Sequence, residues 1–122
     1  MSVKPPQFFK SEEKDPLAAA LEQEIFNEKA STLSRLNGKL EKALERLKAS
    51  LNNPAHTEDI RLQNLAEAAE ALWHVTIQRE LCGLRQHKAF YDFLDVPREV
   101  RLGMGPKNSL LERSRIDQMS KN

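Results

Sequence analysis

The sequence has very few of the residues from which most protein sites are built. Its 122 residues include one cysteine, one tryptophan, one tyrosine, three histidines and four glycines. The single cysteine, Cys82, cannot form a disulfide within the chain, which favours a reducing compartment. No apolar run has the length of a signal peptide, and none approaches the roughly 18 residues of a membrane span. We therefore expect a cytoplasmic protein without membrane contact.

The motifs of common catalytic and binding sites are also missing. The sequence contains no Gly-rich phosphate loop, no H-E-x-x-H, no C-x-x-C, no EF-hand loop and no E-x-x-H. His74, Cys82 and His87 are the only soft metal ligands on one predicted helix. Their spacings of eight and five residues put them two turns apart or on different faces. We expect no enzyme activity, no bound metal and no cofactor.

The residues that are abundant are those of a helical protein. Hydrophobic residues make up 39% of the chain and charged residues 30%, with much Ala, Leu, Glu, Lys and Arg. This balance is too apolar for a disordered chain and too polar for a thick globular core. It predicts an all-α protein in the form of a thin helical bundle.

A first long helix is predicted to begin at Asp15-Pro16 and to run to about Leu51. Aspartate is a good N-cap, and proline suits the first helical position because its missing N–H is not needed there. No other proline interrupts this span, and Gly38 alone does not end a helix. Apolar residues recur at three- and four-residue steps, which is typical of one buried stripe. They are Leu17, Leu21, Ile25, Leu33, Leu36, Leu40, Ala43, Leu44, Leu47 and Leu51.

A second helix is predicted from Pro54 to Leu94, antiparallel to the first because the Asn52-Asn53-Pro54 connection is short. Its apolar residues form two stripes, which indicates two neighbouring helices. A bare hairpin of this length would leave the second stripe in water. We therefore expect a homodimer that forms an antiparallel four-helix bundle. The predicted core and dimer stripe contains Leu33, Leu36, Leu40, Leu44, Leu47, Leu65, Leu72, Trp73, Ile77 and Leu84.

The rest of the chain divides into short segments. Residues 1–14, with the pair Phe8-Phe9, are predicted to form a flexible arm whose phenylalanines either pack on the body or act as a recognition element. Residues 15–102 form the hairpin and a short capping helix. Residues 103–122 form a tail in which Ser109 and Glu112 could open another short helix as a capping box.

The segment FYDFLDVPREVRLGMGP, residues 90–106, is the one aromatic-rich stretch of the chain. Asp95-Val96-Pro97 should end the helix, with Asp95 as a cap, and Pro97 should start a short helix that stops at Gly103. In one interpretation Val96, Val100, Leu102 and Met104 fold back over the bundle end and bury Phe90, Tyr91 and Phe93. In the other, the aromatic and arginine side chains form an exposed patch, as at interaction hot spots.

These patterns favour a small helical interaction or regulatory module that binds another protein. The residues expected to contact that partner are Phe90, Tyr91, Phe93, Arg98, Arg101, Leu102 and Met104. The alternative is a nucleic-acid-associated regulator that uses the tail, since residues 98–122 carry six basic and three acidic groups. Interspersed acids weaken the field that phosphate binding requires, and the whole chain carries a net charge of only +1.

Overall fold

The structure, a computed structural model, describes residues 15–121, and all regular secondary structure in that range is helical. The prediction of an all-α protein is confirmed. The predicted arm, residues 1–14, lies outside the described residues. Between residues 15 and 121 the chain forms five helices, namely α1 (Pro16–Leu51), α2 (Glu58–Leu81), α3 (His87–Phe93), α4 (Arg98–Leu102) and α5 (Lys107–Lys121).

Helix α1 begins and ends where the sequence predicts. The Asp15 carboxylate accepts a hydrogen bond from the Leu17 N–H at 3.1 Å, and Pro16 occupies the first helical position. The helix has 36 residues and is therefore about 54 Å long. Leu40, Ala43 and Leu47 are its buried apolar residues, so only the second half of α1 contributes to the core.

Helix α2 begins four residues later than predicted, at Glu58 rather than at Pro54. The Asn53 side chain accepts from the Ala55 N–H at 2.9 Å and forms a turn instead of capping a helix. The Thr57 hydroxyl accepts from the Ile60 N–H at 3.2 Å and supplies the cap. A threonine followed by two acidic residues is the better helix start, because the cap and the helix dipole favour the same position.

The prediction that this helix continues to Leu94 is wrong. Helix α2 ends at Leu81, because Gly83 takes a left-handed conformation with φ of 85°. The N–H of Leu84 donates to the carbonyl of Arg79 at 2.9 Å, and the N–H of Gly83 donates to that of Glu80 at 3.0 Å. This pair of bonds is the Schellman motif, in which glycine is preferred at the left-handed position.

Because α2 is shorter than α1, the first part of α1 extends past the other helices of the described residues, although its Phe26 borders a shallow groove with Cys82 and Leu84. The end of α2 lies beside Lys29, whose carbonyl accepts from the Gln78 amide at 3.1 Å. Residues 16–28 therefore extend beyond the end of α2. We call this segment the overhang. Its large apolar residues are all exposed.

The second face of α2 is covered by the same chain, whereas the sequence assigned it to a second copy. Val100 of α4 and Leu110 of α5 are buried with Ala66, Ala69 and Leu72 of α2. Most of the predicted stripe is at least half buried within the described chain, whereas Ile77 and Leu84 are exposed there, so their burial at a dimer interface stays a prediction. Ile77 lies near the end of α2, and Leu84 follows that helix.

Gly103 allows α5 to pack closely against α2. A Cβ atom at this position would overlap Leu110 Cδ1 and lie 3.2 Å from the carbonyl oxygen of Glu99 and 3.7 Å from Ala69 Cβ. Gly38 is the opposite case, since a Cβ atom there meets nothing within 4 Å. The two glycines therefore differ in purpose: Gly103 makes room for a contact, and Gly38 merely weakens a helix.

Substitution of each glycine by alanine should change stability in opposite directions. We expect Gly38→Ala to raise the free energy of unfolding by about 0.5–1 kcal/mol, because alanine favours the helix. We expect Gly103→Ala to lower it by about 1–3 kcal/mol, because the added methyl group overpacks the α2–α5 contact. Urea unfolding at one protein concentration measures both. Equal effects of the two substitutions would contradict the described packing of α5.

Candidate functional site

The candidate site is the corner that α3 and α4 form, and its backbone turns sharply at Asp95. This residue has a φ of 54°, so its backbone lies in the left-handed region. The Val96 N–H donates to the carbonyl of Tyr91 at 3.0 Å and the Asp95 N–H to that of Asp92 at 3.1 Å. Asp95 thus ends α3 as a Schellman residue and does not cap α4, contrary to the prediction, while Pro97 occupies the N-cap position of α4.

Tyr91 attaches the corner to α2. Its ring is buried, and its hydroxyl oxygen lies 2.6 Å from the hydroxyl of Thr76. The Met104 sulfur lies 3.6 Å from both hydroxyl oxygens and is within reach as a weak acceptor. Because these groups come from α2, α3 and the segment after α4, the cluster holds three parts of the chain together. The capping interpretation is correct for Tyr91, for Val96 and for Val100, which are all buried.

Phe90 is held in place by Arg79. The guanidinium carbon lies 4.2 Å from the centre of the Phe90 ring, a cation–π arrangement. Arg79 Nε also donates to His87 Nδ1 at 3.3 Å. Since Nδ1 accepts here, the imidazole proton lies on Nε2, which donates to Glu80 at 3.1 Å. Phe90 is half buried within this network and contributes to the architecture of the corner.

Arg101 is also structural, so the expectation that both arginines point outward is wrong for this residue. Its Nε donates to the Val96 carbonyl at 2.9 Å, and its terminal nitrogen lies 3.1 Å from the Asp92 carboxylate. Lys88 binds the same carboxylate at 2.8 Å. The hydrogen bond from Lys88, which has the largest effect, and the hydrogen bond from Arg101 both lower the pKa of Asp92.

Three of the predicted partner-binding residues are exposed to solvent. Phe93 is 83% exposed and Leu102 is 69% exposed, and Arg98 is exposed as well. The capping interpretation is therefore wrong for Phe93 and Leu102. Single exposed apolar side chains are common, but here two lie on either side of one turn, and grouped apolar side chains mark interaction sites. We call these three residues the corner patch.

Sequence reasoning missed a groove that runs between α1 and the corner. Leucines of α1 and the Leu94–Pro97 turn line it, and we call it the corner groove. Leu51 is 60% exposed there, and Glu41, Glu45 and Asp95 lie at its edge with Lys48. The available signal was the recurrence of Leu44, Lys48 and Leu51 on one side of α1, but these leucines were assigned to the core stripe.

The described part of the chain contains no group of three or more metal-binding side chains. The thiol of Cys82 lies 3.7 Å from the carbonyl of Lys29, and the ring of His87 is engaged by Arg79 and Glu80. Among residues 15–121, no helix combines the length and the apolar character that a bilayer crossing requires.

The Asp92 ion pairs should make stability depend on acid pH. The pKa of Asp92 is lower in the folded state than its ordinary value of 3.8, so its contribution is present above about pH 4. As pH falls through the lowered pKa, that contribution is lost. We expect Asp92→Asn to lower the Tm at pH 7 and the difference from wild type to shrink towards pH 3.

Thermal unfolding followed by circular dichroism between pH 3 and pH 7 measures this difference. Asp117→Asn is the matched control, because no cation of residues 15–120 lies within ion-pair distance of Asp117. A constant difference for Asp92→Asn across the whole pH range would contradict the assigned pairing.

Comparison with known proteins identifies a family but not an activity. No curated protein and no solved structure matches the chain. A family model, described as a family of unknown function, DUF6665, matches residues 8–110. The match includes all of α1 to α4, the corner and the start of α5, so it covers both the hairpin and the elements that close it. The chain belongs to the DUF6665 family.

Proposed function

We propose that the protein is a small, non-catalytic, cytoplasmic interaction module that forms a homodimer and binds a protein partner at the corner. The observation that carries the proposal is the exposure of Phe93, Leu102 and Arg98 at the corner. Aromatic residues, phenylalanine among them, and arginine are enriched in protein interfaces. The single cysteine supports the location, since one thiol suits a reducing compartment.

The corner patch is attached to a rigid base, which supports a binding role. Tyr91, Val96 and Val100 are buried directly beneath the turn, and Arg101 ties α4 to α3 through Asp92. A partner would therefore lose little free energy in ordering the surface that it contacts.

The corner groove indicates the chemistry of this partner. Its floor is apolar, while three carboxylates and one lysine, from Glu41, Glu45, Asp95 and Lys48, lie at its edge. An amphipathic helix places apolar residues three or four positions apart into such a groove. Lysine or arginine on the flanks of that helix would face the carboxylates. We propose a basic amphipathic helix as the bound segment.

The nucleic-acid alternative depends on the basic tail and has less support. Arg115 of α5 pairs with Glu112 at 3.0 Å within the same helix, so part of the positive charge is already neutralised. The remaining cations of α5 alternate with acidic residues and form no continuous stripe.

Site-specific photo-cross-linking tests the proposed partner surface. A photoreactive phenylalanine analogue in place of Phe93 should cross-link a protein other than this chain in cells, because the side chain is exposed where we expect the partner. The same analogue in place of Asn108, an exposed residue of α5, is the control and should not give that product. Products that contain only copies of this chain would reject Phe93 as the partner contact.

A further inference from the structure

The overhang carries an apolar stripe that the rest of the described chain, residues 29–121, leaves largely exposed. Leu17, Leu21 and Ile25 are 67%, 50% and 55% exposed. They follow one another at four-residue intervals and so lie on one side of α1. A neighbour that removed these side chains from water would stabilise the segment through the hydrophobic effect.

A groove lies on the same side of α1, in its second half. Leu36 and Ala43 of α1 and Ala71 of α2 form the apolar part of this groove, which we call the hairpin groove. At about 100° per residue, Leu21 and Ile25 lie on the face of α1 that carries Leu36 and Ala43. The overhang and the hairpin groove therefore face the same direction at opposite ends of one helix.

The charges on this face of α1 are separated along its length. Glu24 and Glu28 lie in the first half, and the second half carries a stripe of cations, namely Arg35, Lys39, Lys42 and Arg46. At about 100° per residue all six lie within roughly 60° of one another. Among the described residues only Arg46 has an ion-pair partner, Glu67 at 3.6 Å.

The two halves of the face are complementary in an antiparallel arrangement. Glu28 and Arg35 lie at equal distances on opposite sides of the midpoint between Ser31 and Thr32. Glu24 and Lys39 are also placed symmetrically about it. Two copies of α1 crossing at this midpoint would thus bring both glutamates opposite cations. The small side chains at the crossing point allow a close approach of the helices.

We propose that the hairpin groove of one copy binds the overhang of a second copy, antiparallel, about a two-fold axis at Ser31–Thr32. This inference rests on the proposed homodimer and specifies its interface. Leu21 and Ile25 of one copy then contact Leu36 and Ala43 of the other. Each copy provides one overhang and one groove, so the assembly closes as a dimer.

The exposed end of α2 fits the same arrangement. Ile77 and Leu81 follow Glu70 and His74 by seven residues, and both of those residues line the hairpin groove. Ile77 and Leu81 therefore lie on the groove side of the hairpin. The contact of Gln78 with Lys29 places them near the level of the proposed axis, where the second copy would cover them.

The size of the interface predicts a reversible dimer. The paired stretch from residue 17 to residue 46 is about 45 Å long at 1.5 Å per residue and about 10 Å wide. Two such strips bury on the order of 1,000 Å², the lower end of the range for specific interfaces. Ion pairs at the edge should weaken as salt is raised.

Charge reversal tests the register. One variant carries Glu24→Lys with Glu28→Lys, and the other carries Arg35→Glu with Lys39→Glu. We expect each to raise the dimer dissociation constant about tenfold or more at low salt, since like charges then face each other. An equimolar mixture should form heterodimers of wild-type affinity, because every charge again faces its opposite.

Sedimentation equilibrium at tens of micromolar measures the association, and circular dichroism checks that helicity is retained. Glu41→Lys with Glu45→Lys is the matched control, because it makes the same change of charge on the other side of α1 and should leave the dimer intact. In a Cys82→Ser background, Thr32→Cys should form a disulfide between copies on oxidation, whereas Ser34→Cys, which faces away, should not.

The outcomes separate this inference from the proposed function. If wild type is a dimer and neither charge reversal raises its dissociation constant, this interface is overturned while the homodimer stands. A monomeric wild type would overturn both. A third outcome would also overturn the inference. Wild type would be monomeric and would retain DNA on a filter, and the variant with Arg35→Glu and Lys39→Glu would not retain it. The cation stripe would then be assigned to phosphate binding.

Discussion

The left-handed backbone of Gly83 is the constraint on which the rest of the structure depends. It ends α2 at Leu81 while α1 continues past it, because α1 has 36 residues and α2 has 24. From this difference in length follow the overhang and its exposed leucines. The same turn releases α3 from the axis of α2, so that Tyr91 can return to Thr76 and close the core from another direction.

Helices α4 and α5 cover the second face of α2 within the same chain, and this changes the surface that a second copy can contact. The sequence shows two apolar stripes on the second helix, and a four-helix bundle would bury one of them against a partner. In the structure α4 and α5 cover most of that stripe, and Gly103 brings α5 close enough to do so. Besides the corner, the apolar surface that remains lies along the hairpin groove and the overhang. In the proposed dimer a partner helix would therefore lie beside α1 instead of against the second face of α2.

Sequence reasoning succeeded where a local signal had no competitor. Asp15-Pro16 specifies the start of α1, and Pro97 and Gly103 bound α4, because capping and proline geometry involve only neighbouring residues. It failed at Gly83, since one glycine in an apolar pattern is compatible with a continuing helix until the bonds of its turn are known. The role of Arg101 was equally hidden, because its partners, Asp92 and the Val96 carbonyl, are brought to it by the turn at Asp95.

The net charge of +1 conceals the most informative electrostatic feature of the chain. Along α1 the acidic and basic residues of one face are separated by half the helix, so a parallel pair of helices would bring like charges together and an antiparallel pair would bring opposite charges together. The charge pattern thus favours the antiparallel orientation over the parallel one, whatever the charges contribute to affinity.

The two proposed surfaces lie on different sides of α1 and can be occupied together. Leu36 and Ala43 line the hairpin groove, whereas Leu44 and Lys48 line the corner groove, and on a helix the two pairs are about 80° to 140° apart. A dimer built through the first would leave the second open on both copies. Two identical sites related by a two-fold axis bind a dimeric or repeated partner more tightly than either site alone. Self-association would then strengthen partner binding without any change at the corner itself.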